Sequence, residues 1–154
     1  MPITELLVSL KVPDNVAISA FHALHRMGYH GVKNLERSDY YKFEFSGDKK
    51  SFQKKVSNID ILVNANKHKI SFGLGNNKES DKIQILVKNL DNNNSLLKTL
   101  KENLGLKNIK KVEKGILWTL HFGKIVGTQE TAEKITKGLL MNEHYQNYKI
   151  LGAK

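Results

Sequence analysis

Few side chains in this sequence carry chemistry by type and spacing. His22 and His25 stand three residues apart, with His30 close behind. On a helix that spacing makes two imidazoles neighbours, which is the start of a metal site. No Asp or Glu completes the set at ligand spacing, and His25 falls near the solvent side of the helical wheel. They read as boundary histidines. His68, His121 and His144 are isolated. No Ser, His and Asp share a recognisable frame, and neither a nucleophile elbow nor a phosphate loop occurs. Gly73-Leu74-Gly75 is a lone Gly-x-Gly. Acid–base catalysis needs carboxylates in separate roles. Asp14 and Asp91 are each accounted for by capping a helix. Cys is absent, which removes thiolate ligands, disulfides and cysteine nucleophiles and fits a reducing compartment. The expectation is no catalytic residue, no cofactor and no metal: a protein that binds or assembles.

The chain has 154 residues and a formal charge of +10. Such a balance suits nucleic acid, an anionic membrane or an acidic partner. Of the basic residues only Arg26 and Arg37 are arginine; the other 23 are lysine. Lysine is a point charge without the planar fork that reads bases and phosphates. Together with 15 Asn, this reads as solubility and coding bias rather than a nucleic-acid site. No apolar run reaches the ~18 residues of a membrane span. The start, Met1 to Glu5, lacks the basic and apolar stretches of a signal peptide. A cytoplasmic protein is expected.

The elements that must position these residues come in two copies. Shifted by 77 positions, residues 6–45 lie on 83–122 without a gap. Asp14 and Asn15 fall on Asp91 and Asn92, Gly28 on Gly105, Glu36 on Glu113 and Phe45 on Phe122. Apolar positions also coincide: Val8 with Ile85, Ala23 with Leu100, Leu35 with Val112, Tyr41 with Trp118 and Phe43 with Leu120. Further on, Lys69-Ile70 matches Lys149-Ile150. Residues 1–73 and 82–154 form the two repeats, and the Gly- and Asn-rich stretch 74–81 links them.

Each repeat predicts strand–helix–strand–strand–helix–strand. In the first, Leu6–Val12 is a strand and Asp14 caps a helix whose face is Val16, Ala20, Ala23, Leu24 and Met27. Gly28 ends it. Strands follow at Gly31–Arg37 and Tyr40–Phe45, with Ser38-Asp39 as the turn. In the second repeat, Asn92–Asn94 or Ser95 caps a helix with face Leu96, Leu97, Leu100 and Leu104, ended by Gly105. Strands follow at Asn108–Lys114 and Ile116–Phe122, turning at Gly115. Second helices begin near Asp48 (Phe52, Val56, Ile59) and Thr128 (Ala132, Ile135, Leu139). The last strands are His68–Phe72 and Asn147–Leu151. The fold class is α+β: two tandem ferredoxin-like βαββαβ units clasped as an intramolecular pseudo-dimer.

Two stretches of the first repeat carry a family resemblance: Val8-Ser-Leu-Lys-Val-Pro-Asp-Asn15, and Ala20 through Met27-Gly28-Tyr29 to Arg37. Another lies at the end of the second, Gly138-Leu-Leu-Met-Asn-Glu-His-Tyr-Gln-Asn-Tyr-Lys-Ile150. Together they resemble the PurS subunit of phosphoribosylformylglycinamidine synthase, present twice. The chain departs from that family where a Pro is usual, with Ala65 and Glu143 in its place. The resemblance implies a non-catalytic accessory subunit in de novo purine biosynthesis. It would bridge the synthetase subunit, which uses ATP and Mg²⁺, and the glutaminase subunit, which releases ammonia. Homo-oligomers are a further expectation.

Two other classes share the element order. One is a tandem ACT-like module that senses small molecules. The other is an RNA-binding pair, for which Tyr41, Phe43 and Phe45 would be stacking rings; the RNA-binding consensus is missing and these rings read as core. The opposite row, Tyr40, Lys42 and Glu44 with Leu117, Thr119 and His121, is the candidate seam or partner surface.

Overall fold

The computed structural model describes residues 2–59, 63, 67–73, 82–89, 94–103, 105–122, 129–141 and 146–151. The element order is β1 (Ile3–Leu10), α1 (Asn15–Arg26), β2 (Asn34–Phe45), α2 (Lys49–Ser57), β3 (His68–Phe72), β4 (Lys82–Asn89), α3 (Asn94–Lys98), β5 (Ile109–His121), α4 (Gln129–Ile135) and β6 (Gln146–Leu151). Both α3 and α4 continue into π-helical turns, Thr99–Asn103 and Thr136–Leu140. The strands form one six-stranded sheet in the order β3-β1-β2-β5-β4-β6, antiparallel throughout. The protein is α+β.

The predicted hairpins are absent. Where turns were expected at Ser38-Asp39 and Gly115, β2 and β5 run straight through for 12 and 13 residues. Pairing on both sides explains this. Asp39 lies opposite Val8 of β1 and Ile116 of β5, and Gly115 lies between Tyr40 and Lys88. A turn there would leave these backbone groups without partners. Gly115 is instead a point of close approach. A Cβ on it would sit against the Val87 carbonyl oxygen and only 3.2 Å from Lys88 Cα.

Strand pairing in the two halves corresponds at a shift of 77 residues, with one slip. The β2–β5 ladder runs from Asn34↔His121 to Glu44↔Lys111, and its central pair, Asp39↔Ile116, is separated by the repeat distance. Ile85↔Ile150 in the second half answers Val8↔Ile70 in the first, as the sequence match predicts. The β4–β5 ladder differs. Leu6 faces Tyr41, so the shift predicts Ile83 opposite Trp118; the structure pairs Ile83 with Leu120 and Ile85 with Trp118. A two-residue slip keeps every side chain on its face, so burial does not forbid it.

Odd and even positions separate cleanly. Leu6, Val8, Tyr41, Phe43 and Phe45 point to the helices, as do Ile83, Ile85, Trp118 and Leu120. Two cores result, and each draws on both halves. In one, Phe52 and Val56 of α2 meet Leu100 from the turn after α3, over Phe43, Phe45, Ile109 and Val112. Phe45 and Phe52 stack at 4.0 Å. In the other, Ala17 and Leu24 of α1 meet Ala132 and Ile135 of α4, over Leu35, Ile85, Trp118 and Leu120.

Asp14 caps α1 as predicted, accepting from the Val16 and Ala17 N–H groups at 3.0 and 3.2 Å. Asp48 does the same for α2 through Ser51. Gly28 and Gly105 follow their helical segments with φ of 97° and 75°, the left-handed conformation glycine adopts most easily. The buried stripe of α1 is rotated from expectation. Ala17 and Leu24 are buried with Phe21 packed beside them, whereas Val16 and Met27 are exposed. The spacing 17–21–24 is also helical, and it wins because it keeps the larger ring of Phe21 inward. In the second half Asn94 and Ser95 lie inside α3 rather than capping it. Asp91, Asn92 and Leu104 lie outside the described residues.

Candidate functional site

All four helices pack on one face of the sheet. Strand alternation puts the six predicted surface residues on the other: Tyr40, Lys42 and Glu44 from β2, and Leu117, Thr119 and His121 from β5. They do not meet in a single cluster. Antiparallel pairing runs the two triplets in opposite directions, so Lys42 faces Glu113, Glu44 faces Lys111, Leu117 faces Ser38, and His121 faces Asn34. Tyr40, Leu117 and Thr119 are buried, while Lys42, Glu44 and His121 are half-buried.

The middle of this face is a small apolar cluster of Tyr40, Leu86 and Leu117, flanked by Leu7. Tyr40 lies beside Gly115, where no side chain stands. Its hydroxyl donates to Glu5 Oε2 at 2.6 Å. Burial, and then the Glu5 bond and charge, push that phenol far above its usual range. On the helix side burial, with the charge of Asp39, pushes Tyr41 up to about 12. Both tyrosines therefore stay neutral; Tyr40 acts as a donor and Tyr41 as a packing group.

A charged ring surrounds the cluster. Lys88 Nζ lies 3.2 Å from Glu113 Oε2, Lys111 Nζ lies 3.5 Å from Oε1, and Lys88 sits over the Tyr40 ring at 6.0 Å. Burial would raise the Glu113 carboxyl. The Lys88 hydrogen bond and the charges of Lys88, Lys42 and Lys111 outweigh it and hold the group below its usual value. At the far end Glu36 Oε1 approaches His121 Nε2 at 3.3 Å without hydrogen-bond geometry. Lys88, Glu113, Lys111 and Glu5 complete the face and were missed in the sequence reading. They alternate with core residues in the same strands, the same signal that marks the six predicted residues of β2 and β5.

The histidines of α1 have a local task. His25 donates from Nε2 to the Val32 carbonyl at 3.0 Å, tying the helix end to the strand that follows. Its ring packs 4.5 Å from Phe21 and 5.6 Å from His30. Among the described residues no three His, Cys, Asp or Glu side chains come together as metal ligands, and no helix is long and apolar enough to cross a membrane.

No protein-family model matches the chain, and no curated protein matches it. The face just described carries mixed charge around a closed apolar centre.

Proposed function

We propose that this chain is a tandem PurS-like scaffold. It would be a non-catalytic accessory subunit of phosphoribosylformylglycinamidine synthase, an ATP-dependent amidoligase complex, bridging the synthetase and glutaminase subunits. The observation that carries the reading is an exchange of strand halves. A ferredoxin-like unit orders its strands fourth, first, third, second. Here β3, β1 and the second half of β2 fill the first three places, and the fourth is filled by the first half of β5. On the other side β6, β4 and the second half of β5 are completed by the first half of β2.

Each ferredoxin-like unit is then finished by the other repeat, which makes the pseudo-dimer a single body. Exchange also accounts for the missing hairpins, because straightening a hairpin loop is how identical elements swap between copies. Two related units present two related surfaces, which suits a bridge between two subunits. The test is co-purification from cells engaged in purine synthesis. Tagged protein should recover both the synthetase and glutaminase subunits. Recovery of neither, with the tagged protein folded and abundant, contradicts the proposal.

A further inference from the structure

A groove lies where β1 leaves the sheet. The last β1–β2 pair is Val8↔Asp39, yet β2 begins five residues earlier at Asn34. The chain turns away through Pro13 into α1 and leaves a hollow of about 310 Å³ between the end of β1, the edge of β2 and the first turn of α1. That is about ten water volumes, the lower end of the range for small-molecule sites.

One wall is apolar: Leu10, Val12, Ala17, Ile18 and Leu35. Val12 and Ile18 are 61% and 43% exposed, so apolar surface continues from the groove to its rim. The polar part of the lining comprises Arg37, Lys69 and the Ser9–Ser38 hydroxyl pair at 2.6 Å.

The charges there are unevenly matched. Asp14 is fully engaged: Oδ1 caps the helix, and Oδ2 accepts from Arg37 Nε at 2.9 Å. That contact uses one of the five donors of the guanidinium. The Arg37 Nη nitrogens have no partner among the described residues, and Arg37 is pinned in place, 23% exposed. Lys69 is exposed and likewise has no acidic partner among them. Glu36 turns to His121 on the sheet face. The Val16 and Ala17 N–H groups are already spent on Asp14, and the cations lining the groove are Arg37 and Lys69.

We propose that this groove binds a small organic carboxylate bearing a short apolar chain. The planar fork of Arg37, held at its Nε by Asp14, presents its remaining edge to the carboxylate. Lys69 adds a second cation. The tail lies on Leu10, Ala17 and Leu35. Such a site does not depend on the scaffold reading.

The probe is 4-methylpentanoate, with 4-methylpentanamide as its uncharged isostere, titrated into the full chain and followed by amide NMR. Saturable shifts are expected at Ser9, Val12, Ala17 and Arg37 with the acid and not with the amide. Arg37→Lys keeps a cation beside Asp14 and the fold, yet loses the fork; affinity should fall about tenfold. Lys69→Met, at an exposed strand position, should weaken binding less. No saturable shift at these amides, equal shifts with the amide, or unchanged affinity in Arg37→Lys would each overturn the assignment.

Discussion

The helices of the first half are regular, whereas those of the second half widen. α1 and α2 each carry an aspartate cap. α3 and α4 turn π-helical at Thr99 and Thr136. At both places a threonine hydroxyl donates back to the carbonyl four residues earlier, Thr99 to Ser95 at 3.0 Å and Thr136 to Ala132 at 2.7 Å. A hydroxyl that competes for the i−4 carbonyl loosens the helical ladder and favours an inserted residue. The place matching Thr99 in the first half is His22, which makes no such bond and lies in a regular helix. The two halves thus fill the same layer by different local chemistry. Their likeness is enforced by the cores, each lined by one helix from either half, more than by the helices themselves.

The strongest way to break the comparison is to separate the halves. Residues 1–76 alone contain α1 and α2 but lack the partner helix of each. The fragment should not persist as a folded monomer. It should be found as a homodimer, each copy supplying the long strand the other lacks, or as aggregate. Light scattering with circular dichroism decides this, and a monomer melting cooperatively would contradict it.

The next effect is at the matched pair Ser38 and Gly115. Ser38 has room for a side chain and bonds Ser9; Gly115 has Val87 and Lys88 against it. Gly115→Ser should destabilise the fold by about 3 kcal/mol through strand displacement. Ser38→Gly should cost about 1 kcal/mol. Denaturant midpoints compare the two directly.

Thr136→Val removes a buried hydroxyl bond and should cost about 1 kcal/mol; Thr99→Val, where the bond is exposed, only a few tenths. Secondary chemical shifts should show both helices becoming more regular.

The smallest effect is on pH dependence. The Glu113 carboxyl is held below its ordinary 4.5, so its contribution to stability is complete above that value and is lost as the pH falls through the lower, folded value. Glu113→Gln should flatten the acid limb of the stability profile, read from urea midpoints between pH 3 and 5.

Much of this architecture was legible in the residues. Alternation in Tyr41-Lys42-Phe43-Glu44-Phe45 gave the two faces correctly. Asp14, Asp48, Gly28 and Gly105 marked helix ends through chemistry confined to one or two residues. The straight passage through Ser38 and Gly115 was not legible, because Ser-Asp and Gly are ordinary turn residues. Their conformation is decided by strands distant in sequence, β1 on one side and β4 on the other. The slip of β4 is of the same kind: two residues change nothing in the alternation. The groove beside Arg37 escaped because it arises from β1 ending short of β2, a fact about pairing rather than composition.

The central claim is that unbroken long strands weld both halves of the chain into one body. Native-state hydrogen exchange at Asp39, Tyr40, Ile116 and Leu117 tests it most directly. These residues are flanked by strands on both sides. The account predicts that their hydrogen-bonded amides exchange only through global unfolding, with the same free energy as the amides of Phe43 and Leu120. Exchange within minutes at Asp39 and Ile116, as turns would show, would contradict it.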